Sequence, residues 1–108
     1  MDELAYNTQV AQVFRRLLKA LDVADPDVLE CDSTGDMLTI VATASKERVV
    51  INTQRAVHQI WVAGNGSGVH FVFDGPSGQW KDDKRRGLEL FAWVATCVRA
   101  ASGFSATF

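Results

Sequence analysis

The sequence predicts an α+β domain, a two-layer α/β sandwich with N- and C-terminal helices packed on one face of an antiparallel sheet. Three observations carry this. Apolar residues recur at helical spacing near both ends of the chain. Between them, short β-branched and alternating runs are punctuated by Gly, Asn, Asp, Pro and Ser. The 108 residues, 47% hydrophobic and 22% charged, have ordinary globular composition, with no repeat, low-complexity run or linker that would divide residues 1–108 into two domains.

The first helix spans residues 3–21. Tyr6, Val10, Val13, Phe14, Leu17 and Leu21 make one apolar stripe, and Ala24-Asp25-Pro26-Asp27 ends it. Val28 to Ser33 alternates, with Leu29 and Cys31 inward and Glu30 and Asp32 outward. Thr34-Gly35-Asp36 turns the chain into Met37–Thr43, and Ser45-Lys46-Glu47 turns it again into Arg48–Asn52. His58–Ala63 places Ile60 and Val62 against Gln59 and Trp61. The glycine-rich segment 64–68 reads as a loop, Val69–Phe73 as a strand, and Gln79–Lys81 as a brief edge strand. A second helix is predicted from about Gly87 to Ala101, with Leu88, Phe91, Ala92, Ala95 and Val98 on its inner face and Gly103 as its stop. The sheet's other face is left open to water.

Charge is uneven. The total is −2, which argues against a basic nucleic-acid binder. Residues 1–45 hold eight acids against three bases, and residues 46–108 hold five acids against eight bases. Residues 22–36 contain six acids and no base. No apolar run approaches the roughly 18 residues of a membrane span, and the N-terminus lacks a signal-peptide pattern. The expectation is a cytoplasmic protein whose two cysteines, Cys31 and Cys97, are free, buried thiols.

Several constellations bear on function. Asp22, Asp25 and Asp27 at the helix end, with Glu30 and Asp32 on the first strand, suit hard cations, which prefer carboxylate oxygen. The same acids also read as a solvated face, since no closed metal motif is present. Asn52, Gln59 and Trp61 fall on the open side of the sheet; Trp61 is either a protein-contact residue or is tucked under a loop. His58 and His70 lie on neighbouring candidate strands, yet two histidines do not complete a metal site. Lys81, Lys84, Arg85 and Arg86, interrupted by Asp82 and Asp83, read as a solvated loop. No phosphate loop, nucleophile elbow or catalytic triad is present, so a non-enzymatic role is expected.

The run Val50-Ile51-Asn52-Thr53-Gln54 followed by His58-Gln59-Ile60-Trp61-Val62-Ala63 strongly resembles the frataxin family, in its bacterial CyaY branch. The likeness continues through Gly68-Val69-His70-Phe71, Asp74-Gly75, Trp80 and the last helix with Leu88 and Phe91. It implies weak binding of ferrous or ferric iron by a ridge comprising Glu3, Asp22, Asp25, Asp27, Glu30 and Asp32. It implies partner contact through Asn52, Gln54, Gln59 and Trp61, the partners being a cysteine desulfurase and an iron–sulfur scaffold protein. The implied role is regulation of cluster assembly, or iron donation, by a protein that is monomeric without iron and acts on neither nucleic acid nor membrane. The alternative is a metal-independent adaptor that uses the sheet face around Trp61. The sequence departs from the family pattern at Leu18 and Lys19, where acids are usual, and at Asn7, where bacterial members often have histidine. These departures weaken the implied iron site.

Overall fold

Asp2 opens the first helix, accepting the Ala5 N–H at 2.7 Å, and α1 runs Glu3–Leu21. It buries Tyr6, Val10, Val13, Leu17 and Leu21 as one stripe. Asp25 Oδ1 then accepts the Asp27 N–H at 2.9 Å, an Asx turn that leads into the sheet. The computed structural model describes residues 1–108.

Six antiparallel strands follow in simple meander order: β1 Leu29–Thr34, β2 Met37–Ala42, β3 Arg48–Gln54, β4 Gln59–Gly64, β5 Ser67–Asp74 and β6 Gln79–Asp82. A 3-10 turn, Arg55–Val57, links β3 to β4. The segment 64–68 is shorter as a loop than the sequence suggests. Gly64 and Gly68 lie in strands, and only Asn65-Gly66 turns, both with positive φ, the type I′ signature of a tight hairpin. Gly64 is in its strand for packing reasons: a Cβ there would stand 2.8 Å from Cys97 Cβ.

The second helix, α2, runs Leu90–Ser102. It starts later than about Gly87 because Leu88 and Glu89 first extend along β6: Asp82 N–H bonds to Leu88 O, and Glu89 bridges to Lys81. Glu89 then caps the helix by accepting the Phe91 and Ala92 N–H groups. That start sets the helix rotation, so the inner face is Leu90, Val94, Cys97 and Val98, and Ala92 is exposed. Phe91 and Ala95 are half-buried on the flank facing residues 103–108. There the Phe91 and Phe108 rings meet at 5.9 Å, and Arg16 lies 4.1 Å over Phe91 while donating to Phe108 O. Gly103, with φ +78, ends the helix as predicted.

One core lies between the helices and the sheet's inner face, where Leu38, Ile40, Val49, Ile51, Ile60, Val62, Val69 and Phe71 are buried. The two sheet edges are treated differently. Residues 88–89 cover β6, whereas β1 buries only Leu29. Cys31 therefore corrects one expectation. It has the inward parity of Leu29 and opposes Ile40, but it is exposed because the helical layer stops short of this edge.

Candidate functional site

The structure divides the six ridge carboxylates between two places. Asp22, Asp25 and Asp27 follow the C-terminal end of α1, and Glu30 and Asp32 stand on the adjoining strand β1. Glu3 lies in the first turn of α1, about 27 Å from the other end at 1.5 Å per residue, where Arg55 feels its charge. All six are exposed and none forms an ion pair. Nowhere in the structure do three His, Cys, Asp or Glu side chains converge to hold a metal ion. The five acids at one end thus make a diffuse negative edge rather than a chelating cage. A cleft of about 430 Å³ opens at this edge, lined by Leu18, Leu21, Ala24, Leu29 and Cys31 with Asp22 and Glu30.

Other acids are consumed by structure. Asp36 pairs with Arg55 at 2.5 Å, and Arg55 also donates to Asn7, tying the β1–β2 hairpin to α1. The Arg55 guanidinium holds the Asp36 carboxyl below its usual range. Asp74, bonded by Ser77 and then Lys81, is lowered likewise. Asp82 is the residue that the sequence reading missed. It is 4% exposed and accepts from Lys84 N–H, Arg86 N–H and the Arg86 guanidinium at 2.6–3.2 Å. The segment 81–86 is therefore not merely a solvated loop; Asp82 organises it. The i,i+4 spacing of Asp82 and Arg86 was the available signal.

The outer face of the sheet has its own order. Register aligns Thr34, Met37, Asn52, Trp61 and His70 in one row across β1 to β5. The next row holds Gln54, Gln59, Val72 and Lys81. Asn52, Gln54, Gln59 and Trp61 thus share one surface, all half-buried. Trp61 lies against the neighbouring strand: a Cβ on Gly68 would fall 2.7 Å from its Nε1. His70 Nδ1 and Gln54 Oε1 are 2.8 Å apart, so the imidazole donates there. His58 does not join His70. It takes a left-handed φ of +53 before β4 and stacks on Tyr6 with ring centroids 5.0 Å apart.

Residues 1–103 match the family model of the frataxin-like domain. The chain belongs to the frataxin-like family. Among relatives, the iron-sulfur cluster assembly protein CyaY of Delftia acidovorans is 36% identical over 87 residues, covering 81% of this chain and 75% of that protein. The protein of the same name from Aeromonas salmonicida is 32% identical over 108 residues, covering 100% and 99%. A frataxin structure from Psychromonas ingrahamii superposes with a TM-score of 0.85 at 22% identity, covering 98% of this chain and 96% of that one, and so shares the fold. No helix is long and apolar enough to cross a membrane. Within this frataxin-like frame, Leu18 and Lys19 occupy exposed positions in the last turns of α1, so the negative edge here is built from the loop and β1.

Proposed function

We propose that this protein takes part in iron–sulfur cluster assembly as a weak iron-binding regulator of a cysteine desulfurase and its scaffold protein. The observation that supports it is the set of exposed, unpaired carboxylates Asp22, Asp25, Asp27, Glu30 and Asp32 at one edge of a frataxin-like fold. The names of the relatives support the pathway. Uncompensated like charges repel and gain from a cation nearby. With no cage, ferrous or ferric iron would keep much of its water and be held by one or two carboxylates at a time. Each bound ion reduces the negative field that this edge presents to a basic partner surface. Iron supply thereby sets how strongly the protein docks and how fast the desulfurase turns over. Iron is cargo or signal here, not a resident catalytic group.

The test is anaerobic calorimetry with ferrous iron, alongside desulfurase turnover. Weak binding that disappears in the Asp22→Lys, Glu30→Lys double variant, with loss of the effect on turnover, supports the reading. Absence of both binding and any effect on turnover by the native chain defeats it.

A second reading rests on the outer face. Trp61, held over Gly68 and flanked by Asn52, Gln54 and Gln59, offers a metal-independent contact surface. Under it, Trp61→Ala abolishes partner binding while the acid reversals change it little.

A further inference from the structure

The edge strand β1 is unpartnered on its outer side. Thr34 and Met37 flank the two-residue turn Gly35-Asp36, and Thr43 N–H bonds to Val28 O. Antiparallel alternation then directs the main-chain groups of Val28, Glu30, Asp32 and Thr34 toward β2, and those of Cys31 and Ser33 away from it. No hydrogen bond outside the sheet ladders engages the main chain of Cys31 or Ser33. The other edge of the sheet is closed by the chain itself, through Asp82 N–H to Leu88 O and the Lys81–Glu89 bridge.

The two faces of β1 differ in chemistry. Glu30 and Asp32 stand on the outer face, exposed and unpaired. Beneath the strand, the cleft of about 430 Å³ is lined mainly by apolar groups, Leu18, Leu21, Ala24, Leu29 and Cys31, with Asp22 and Glu30 also bordering it. We propose that β1 accepts an extended segment of a partner protein as a seventh strand, with Lys or Arg at alternate positions facing Glu30 and Asp32 and small apolar residues between them facing the cleft. Main-chain pairing supplies attachment, and alternate side chains supply selectivity. A second copy of this chain is the wrong occupant, because two β1 strands would set Glu30 and Asp32 against the same acids. The inference goes beyond the regulatory reading, since it needs neither iron nor a desulfurase.

The test uses the full chain and synthetic octapeptides, without metal. One alternates lysine and valine, one alternates glutamate and valine, and one is the lysine peptide with its strand-pairing amides N-methylated. Amide hydrogen exchange is read at Cys31 and Ser33. The lysine peptide is expected to slow exchange at both amides at least tenfold, with no such change for the other two peptides. Binding of the N-methylated peptide equal to that of its parent would reduce the contact to simple charge attraction and overturn the proposal. So would absence of protection at Cys31 and Ser33 with the lysine peptide at millimolar concentration.

Discussion

At the residue scale, the two thiols separate cleanly. Burial pushes the Cys97 thiol up to about 11, since its side chain is sealed between α2 and the sheet beside Gly64, whereas Cys31 is exposed, with a thiol also raised by partial desolvation. A maleimide should therefore label one cysteine per native chain at pH 8, and mass spectrometry should place it on Cys31. Asp82 makes the complementary case for a buried carboxylate. Asp82→Ala strands the Lys84 and Arg86 amides and should cost about 2 kcal/mol by chemical denaturation. The pH dependence has a definite sign. Asp36, Asp74 and Asp82 titrate below their ordinary range when folded, chiefly through bonds from Arg55, Ser77 and Arg86 respectively. Their stabilisation is complete above the ordinary carboxylate range, about pH 4, and fades as pH falls through their lowered folded values. A stability–pH profile should drop there, and Asp82→Asn should flatten part of the drop. Periodicity revealed which side Cys31 faces; it carries no information on where a helical layer ends, which is why exposure at that position was not legible.

At the scale of elements, the meander and both helices were legible because their apolar spacings are clean and Gly103 and Pro26 punctuate them. The rotation of α2 was not, because it depends on Leu88 and Glu89 pairing with β6, a contact far from the helix's own pattern. Two glycines in the β4–β5 hairpin make specific demands. Gly64→Ala would drive a Cβ to within 3 Å of Cys97 and should destabilise the fold by about 1–3 kcal/mol, read as a lower denaturant midpoint. Gly68→Ala would displace Trp61 instead, since the collision is with an indole on the open face. Its expected signature is a changed tryptophan emission with a smaller loss of stability. That Asn52, Gln59 and Trp61 share one face was legible from strand parity, since Asn52 and Trp61 sit in register, whereas Gln54 was assigned to it only by the family resemblance.

Across the whole molecule, the charge imbalance along the sequence becomes a gradient across the sheet. Exposed acids gather by β1, and Lys81, Lys84 and Arg85 lie at or beyond β6. The acids at the β1 edge repel one another without an ion pair to offset them, a cost to stability that the proposed binding role would explain. Glu30→Lys with Asp22→Lys should then leave the fold intact and raise the melting temperature by a few degrees at low salt, an effect that salt diminishes. The clustering of these acids was legible in residues 22–36, and the separation of Glu3 follows from the length of the predicted helix 3–21, which divides the single ridge that the family resemblance implies. The central claim is that this edge couples iron to desulfurase output. Anaerobic desulfurase turnover, measured with the native chain and with the Asp22→Lys, Glu30→Lys variant across a ferrous iron titration, tests it most directly. The account predicts an iron-dependent change in turnover with the native chain that the variant loses while remaining folded; an identical iron response from the two proteins would contradict it.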